Sequence, residues 1–141
     1  MDCIGVDAHT ETITIMHGTT PTGHCHTPGS VYAQFYAPPI IGPGAWLMWC
    51  RCNEYLPADP SATVELAWPE FTRTLGSSPG RGARILARLV QFHLIQQLPE
   101  PGHFAVLRGV PTLRPAQLER LAVHCPQLVA AHANIVRAHA A

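Results

Sequence analysis

Residues 81–98, RGARILARLVQFHLIQQL, have the pattern of a long amphipathic helix, with one polar and one apolar side. Three arginines and a glutamine recur at helical spacing and fall within roughly a quarter of the helix circumference. This arginine stripe consists of Arg81, Arg84, Arg88 and Gln91. The opposite, apolar side consists of Ile85, Leu86, Leu89, Val90 and His93. We expect His93 to be a hydrogen-bonded core residue, and the stripe to face solvent or a polyanion.

The composition fits one globular domain, because 141 residues of which 47% are hydrophobic can build a core. Trp46, Trp49 and Trp68, each within an apolar segment, are expected to anchor that core. The nine basic residues are all arginine, which excludes chemistry that needs a lysine, such as a Schiff base or a P-loop. The net charge is zero, but the charges are unevenly distributed. The chain up to Leu66 has six acidic residues and one arginine, and the chain from Ala67 onward has three acidic residues and eight arginines. Such a chain can present one basic face to a polyanion.

Neither secretion nor membrane insertion is indicated by the sequence. The five cysteines lack the regular spacing of a disulfide framework, which favours a reducing compartment. The N-terminus, MDCIGVDAHT, has neither the basic start nor the apolar core of a signal peptide. Proline and glycine interrupt the most apolar region, residues 31–50, so we expect no membrane-spanning helix there. The prediction is a soluble cytoplasmic protein without a membrane partner.

The N-terminal third combines short apolar runs with a long irregular loop. The runs CIGV and TITIM, at residues 3–6 and 12–16, predict a hairpin because polar and apolar residues alternate in the second run. The run VYAQFY, residues 31–36, predicts one more strand because it is rich in β-branched and aromatic residues. These strands would form a β-rich extension over residues 1–43.

In the remaining chain, proline and glycine mark the ends of the predicted helices and strands more clearly. Its expected elements are a helix at 44–55, a strand at 62–66, a helix at 68–76, the arginine-striped helix ending at Leu98, a strand at 103–110 and two helices beginning at Pro115 and Pro126. Ser77 or Ser78 is placed to cap the striped helix, with Pro79 near its first turn. An alternative for residues 94–98 is a strand that pairs with residues 103–110 across the turn PEPG.

This order of helix, strand, helix, tight turn, longer helix and returning strand is that of a winged helix. In such modules the third helix enters the major groove of DNA, and the returning hairpin lies along neighbouring phosphates. The segments ELAWPEFTRTLG, GRGARILARLVQFHLI and FAVLRGV resemble winged-helix DNA-binding domains, in particular small arginine-rich winged-helix proteins of high-GC actinobacteria and their phages. The resemblance runs from Trp46 to Val110, about half the chain, and implies a fold and a nucleic-acid surface but no particular regulated gene.

The winged-helix interpretation places the DNA contacts on two elements. On the striped helix they fall on Ser77, Ser78 and the arginine stripe, where Arg81 lies near a helix N-terminus that favours a phosphate. On the returning strand they fall on His103 and Arg108. Exposed arginines are common on any soluble domain, so a solvated helix face without a ligand is the competing interpretation.

Other chemistries have weaker support in the sequence. The residues that could ligate zinc are His24, Cys25, His26, Cys50 and Cys52. Their spacing does not match the two to four intervening residues that are usual within a zinc-ligand pair. An enzyme built on Asp7, His9 and Glu11 is another alternative, because the run IGVDAH resembles the opening strand of RNase H-like transposases, in which a strand aspartate holds a metal. The other acids of that arrangement are not recognisable in this sequence. No nucleophile motif is present, so we expect neither catalysis nor a metal or cofactor.

The sequence therefore predicts an α+β protein with a winged helix-turn-helix core at residues 44–110, an N-terminal β extension at 1–43 and two C-terminal helices at 111–141. Its expected role is to bind double-stranded DNA, in a sequence-specific or general manner, as a transcriptional regulator. The C-terminal helices are expected to pack on this core or to pair two subunits, and such a homodimer would match a palindromic site. The alternative is a protein-interaction module on the same scaffold, an accessory or phage or host factor that does not bind DNA.

Overall fold

A computed structural model describes residues 4–19 and 25–139, which form an α+β structure of six helices and six strands. The elements in chain order are β1 (Thr12–His17), β2 (Cys25–His26), α1 (Val31–Ile41), α2 (Pro43–Tyr55), β3 (Thr63–Ala67), α3 (Trp68–Thr74), α4 (Pro79–Gln91), β4 (Ile95–Gln97), β5 (His103–Val106), β6 (Val110–Pro111), α5 (Pro115–His124) and α6 (Pro126–His139). The predicted α+β class is confirmed. None of the helices in the described part of the chain has the length and apolar character that a membrane crossing needs.

Four strands form the central sheet in the order β3-β1-β5-β4. Strand β1 is antiparallel to β3 and parallel to β5, while β4 is the antiparallel partner of β5. Ile13 and Ile15 of β1 are both buried, because alternate residues of a strand point to the same face of a sheet. The short strands β2 and β6 pair separately, antiparallel to each other.

The predicted N-terminal hairpin is wrong. Residues 4–10 form no strand, and β1 pairs instead with strands that lie far along the chain. Gly5 has a φ of 73°, a left-handed backbone that interrupts an extended segment. Ile4 and Val6 are nevertheless buried in the core, so this segment packs through its side chains rather than through strand hydrogen bonds. Cys3, the first residue of the predicted hairpin, lies outside the described residues.

The strand predicted at residues 31–36 is also wrong, because this run begins α1. The Ser30 side chain accepts a hydrogen bond from the backbone N–H of Ala33 at 3.2 Å and so caps the helix. Tyr32 and Tyr36, one turn apart, are both buried and contact α6. Burial of this helix face outweighs the β propensity of the run, which reflects packing context more than an intrinsic backbone preference.

The helices predicted after α1 and the strand predicted at 62–66 are confirmed in kind. The strand predicted at 103–110 is not continuous, because β5 ends at Val106 and residues 110–111 form β6 in the separate two-stranded sheet. The largest difference among the helices is the end of α4. This helix ends at Gln91, earlier than predicted, because His93 adopts a left-handed backbone with a φ of 64°. The N–H of Leu94 then donates to the carbonyl of Leu89 at 3.1 Å, which closes the last turn. The alternative prediction of a strand at 94–98 is confirmed as β4. His93 is exposed, so its predicted place in the core is wrong.

The main core contains residues from the central sheet and from α2, α3 and α4. Trp49 and Trp68 are fully buried, and their indole N–H groups donate to the backbone carbonyls of Leu107 and Pro79 at 3.0 and 3.1 Å. Because both rings combine a large buried surface with a satisfied donor, the prediction that they anchor the core is confirmed. Trp46 is half-buried and packs against the same core.

A second, smaller cluster holds the C-terminal helices on α1. It is centred on Tyr32, Tyr36 and Leu121. The Tyr36 hydroxyl donates to the backbone carbonyl of Leu128 at 2.9 Å, and the Tyr32 ring stacks on His26 with centroids 3.8 Å apart. The α6 residues packed against the cluster are Leu128, Val129, Ile135 and Val136. Much of the apolar face of α6 is therefore used within the chain.

Candidate nucleic-acid interface

Helix α4 begins at a capping serine that the sequence marks. The Ser78 side chain accepts a hydrogen bond from the backbone N–H of Arg81 at 3.2 Å, and Pro79 occupies the first helical turn. Ser77 does not cap α4, because its hydroxyl donates instead to the carbonyl of Ser78 at 3.3 Å. Of the two serines predicted at this position, Ser78 is the cap.

The arginine stripe is exposed along its whole length, whereas Leu86 and Leu89 on the opposite face of α4 lie in the main core. The crossing of α3 and α4 fixes this orientation. A Cβ atom on Gly82 would overlap the Cγ2 methyl of Thr72 in α3 and come within 3.2 Å of Trp68 Cζ2. The two helices therefore pack closely enough to determine which residues of α4 face outward.

A groove of about 930 Å³ lies between the arginine stripe and the N-terminal segment, residues 4–8. All four residues of the stripe line it. The opposite wall contains the apolar Ile4 and Val6 and the exposed side chain of Asp7. The structure thus brings the predicted helix residues together at one concave surface, which also contains one carboxylate.

The N-terminal segment is held against both α4 and the sheet. Near α4, a Cβ atom on Gly80 would lie 3.4 Å from the Cβ of Ala8, which is ordinary van der Waals contact. At the sheet, the side-chain amide of Gln97 donates to the carbonyl of Ile4 at 3.0 Å. These contacts fix the second wall of the groove, which no pattern in the sequence indicates.

Arg81 and Arg84 have free guanidinium groups within the described part of the chain. The two ion pairs found there join other residues, and neither arginine side chain makes a hydrogen bond to a described residue. The two residues lie one helical turn apart on an exposed face. Two unpaired positive charges on a rigid helix are available to an anionic ligand.

Arg88 differs from the other two arginines because it is held by the protein itself. Its Nε donates to the backbone carbonyl of Ile41 at 2.6 Å. Its guanidinium carbon lies 5.1 Å from the centroid of the Phe92 ring, a cation–π arrangement. Arg88 therefore ties the end of α1 to the end of α4, and a ligand must compete with both contacts to move it.

His103 and Arg108 do not line the groove. Arg108 follows the end of β5, and its guanidinium donates to Nδ1 of His17 at 3.1 Å. Since Nε2 of His17 lies 2.6 Å from the carbonyl of Pro57, the ring carries its proton on Nε2 and accepts at Nδ1. His103, at the start of β5, lies 3.5 Å from the carboxylate of Glu100 in the turn before it. The β4–β5 hairpin thus offers fewer free donors than the winged-helix interpretation expects.

Those of the possible zinc ligands that the structure describes form no metal site. His24 lies outside the described residues, and no three His, Cys, Asp or Glu side chains of the described part form a metal site. Burial raises the pKa of the Cys52 thiol to about 12, and desolvation, with the Glu54 charge second, raises that of Cys50 to about 11. Nε2 of His26 is hydrogen-bonded to the Thr112 hydroxyl at 2.9 Å. Because their pKa values lie well above 7, the thiols of Cys50 and Cys52 are protonated at neutral pH.

Asp7, His9 and Glu11, the residues of the RNase H-like alternative, do not lie on a strand. The carboxylate of Asp7 accepts the backbone N–H of His9 at 2.8 Å, and the N–H of Asp7 donates to the Thr10 hydroxyl at 2.9 Å. These bonds form a local turn in which the Asp side chain satisfies the backbone. The geometry offers this alternative no support.

Comparison with known protein families, with curated proteins and with solved structures finds no match for this chain. The geometry of α4 and its surroundings is therefore the basis on which a function can be proposed.

Proposed function

We propose that this protein binds double-stranded DNA through the arginine stripe, in the manner of a winged-helix transcriptional regulator. The proposal rests on Arg81 and Arg84, whose guanidinium groups are exposed and have no partner among the described residues. Both lie on α4, whose opposite face packs in the main core. Arginine suits this role because its planar guanidinium pairs with a phosphate or with two acceptors of a guanine edge.

The three arginines have different parts in this proposal. Arg81 lies in the first turn of α4, where the helix dipole favours a phosphate. Arg84, one turn further along and exposed, is the residue we expect to reach a base edge in the major groove. Arg88, already held by Ile41 and Phe92, positions α4 and adds positive potential. Gln91 can donate to a base or to a phosphate at the far end of the stripe.

Two further features support duplex DNA and a winged helix. None of the described residues that line the groove has an aromatic side chain, whereas proteins that bind single strands stack the bases on aromatic rings. The order of helices and strands from α2 to β5 is the one expected from the sequence for a winged helix, and in the sheet β1 lies between β3 and β5. Because His103 and Arg108 already contact Glu100 and His17, contacts from the hairpin are a smaller part of the proposal.

One observation favours a second candidate, a protein-interaction module that does not bind DNA. Asp7 places a carboxylate on the wall opposite the arginines, where it would repel a phosphate. Ile85 and Ala87 add partly exposed apolar surface to the same groove. An amphipathic segment of a partner protein could use both the charge and the apolar surface. Pairing of two copies through α5 and α6 stays a prediction.

Binding to random duplex DNA across a salt series, followed by selection of the bound sequences, tests the proposal. We expect affinity to fall steeply with salt, because arginine–phosphate contacts release counterions from DNA. We also expect enrichment of G·C pairs that is lost in Arg84→Ala, since one arginine–guanine pair contributes about 1 to 3 kcal/mol of discrimination. DNA binding whose affinity does not change with salt would favour the protein-interaction module. The same holds if the protein binds no DNA and no sequence is enriched.

A further inference from the structure

A small cleft lies where α1, the end of α4 and the segment before α5 meet. It has a volume of about 120 Å³ and shares no lining residue with the groove beside the arginine stripe. Its lining includes the buried side chains of Tyr36, Ala37 and Ile41. It also includes Phe92 and Pro111, which are exposed and therefore mark its rim. The cleft is a second concave surface that the proposed DNA binding does not use.

The polar groups of the tyrosines around the cleft are already hydrogen-bonded within the protein. The Tyr36 hydroxyl donates to the backbone carbonyl of Leu128 at 2.9 Å. The Tyr32 hydroxyl accepts from the N–H of Leu113 at 2.8 Å and lies 2.8 Å from Nε2 of His132. A ligand in the cleft therefore need not form hydrogen bonds with the tyrosine hydroxyls. A ligand that has several polar atoms would lose their hydrogen bonds to water on binding, which lowers its affinity.

The volume of the cleft sets the size of the ligand. A dry apolar cavity of about 150 Å³ is large enough to bind benzene. This cleft is slightly smaller at about 120 Å³, but its open rim gives a ring of similar size room to enter. Among the described residues of the lining, Gln117 is the one with a side-chain amide, and its Oε1 already accepts the backbone N–H of Arg114 at 2.8 Å. Removal of the ring's apolar surface from water drives binding.

We infer that this cleft is a binding site for a small apolar molecule of about the size of a six-membered carbon ring. The inference does not depend on DNA binding, because the two surfaces have no residue in common. Two lining residues, Ile41 and Phe92, are also the partners of Arg88. A bound molecule thus contacts the residues that position one arginine of the stripe.

Cyclohexane and 1,4-dioxane are a matched pair of probes, since the rings have similar size and shape but dioxane has two ether oxygens. Each is added to the 141-residue protein while two-dimensional NMR spectra and the thermal unfolding midpoint are recorded. We expect cyclohexane to shift the signals of residues that line the cleft and to raise the midpoint, because a ligand of the folded state stabilises it. Dioxane at the same concentration should do neither.

Three variants locate the site. Ala37→Leu fills the cleft from a buried position, Leu113→Phe fills it from a half-buried one, and Val123→Phe adds apolar bulk at a residue that is 76% exposed and outside the cleft. We expect the first two to weaken cyclohexane binding by about tenfold or more, and Val123→Phe to leave it unchanged. If Ala37→Leu does not fold, Leu113→Phe provides the result. Equal effects of the two probes, no effect of either, or undiminished binding by Leu113→Phe would overturn the inference.

Discussion

Replacement of Gly82 by alanine perturbs the helix crossing that orients the arginine stripe. In the middle of an exposed helix this change stabilises a protein by about 1 kcal/mol. Here the new methyl group would overlap Thr72 Cγ2 and lie within 3.2 Å of Trp68 Cζ2. Both neighbours are fully buried, and Trp68 is held by its hydrogen bond to the Pro79 carbonyl. Because neither side chain can move aside freely, we expect the change to destabilise the fold.

The size of the effect follows from two opposing terms. Overpacking of a well-packed core costs about 1 to 3 kcal/mol, and the overlap with fixed side chains places Gly82→Ala near the upper end of that range. After the gain in helix propensity is subtracted, the net loss of unfolding free energy is about 1 to 2 kcal/mol. For a chain of this length about 1 kcal/mol corresponds to roughly 3 to 4 °C, so Tm should fall by roughly 3 to 8 °C.

Urea and thermal unfolding of three variants measure this effect. Gly80→Ala is the matched control in the same helix, where the new Cβ would meet Ala8 at an ordinary 3.4 Å, so stability should be unchanged or slightly higher. Thr72→Ser removes the overlapping methyl but keeps the hydroxyl that donates to the Pro69 carbonyl at 3.0 Å, so it should recover stability when combined with Gly82→Ala. A Gly82→Ala protein as stable as the parent would refute the close crossing of α3 and α4.

Two further changes test other parts of the structure by urea unfolding. Ser78→Ala should lower the unfolding free energy by about 1 kcal/mol, because it removes the cap of α4. Ser77→Ala is the control, since the Ser77 hydroxyl does not cap the helix. Equal losses in the two variants would contradict the assignment of Ser78 as the cap. Desolvation of His132 lowers its pKa below the ordinary 6.5, so the unfolded chain takes up a proton more readily than the folded one. Stability should therefore fall as the pH drops through about 6.5 and level off below the folded pKa, and His132→Gln should weaken this dependence. Identical pH profiles for the parent protein and His132→Gln would show that His132 contributes nothing to the pH dependence of stability.

The helices after residue 42 were predictable because their signals are local. The start of α4 is marked by Ser78 and Pro79, and its apolar residues recur at helical spacing. Helix α1 was not predictable in this way, because its β-branched and aromatic residues also fit a strand. Its helical state depends on the burial of Tyr32 and Tyr36 against α6, at the other end of the chain.

The exposure of the arginine stripe follows from the helical period, but its surroundings do not. The partner of Arg88 is the backbone carbonyl of Ile41, and the second wall of the groove is the segment 4–8. Arg108 likewise contacts His17, a residue far from it in the sequence. Such contacts depend on how distant elements pack, so no local pattern indicates them. The error at His93 has a local cause, since it comes from a left-handed backbone at a residue other than glycine.

Binding of duplex DNA by the arginine stripe can be tested by the salt dependence of affinity in two variants of equal charge. One combines Arg81→Ala with Arg84→Ala, and the other combines Arg120→Ala with Arg137→Ala, which removes two exposed arginines from α5 and α6. We predict that the slope of log affinity against log salt concentration becomes shallower by about 1 in the first variant, since loss of the phosphate contact of Arg81 removes about 0.9. The second variant should keep the parent slope. Equal slopes in both variants would contradict the proposal that the stripe binds DNA.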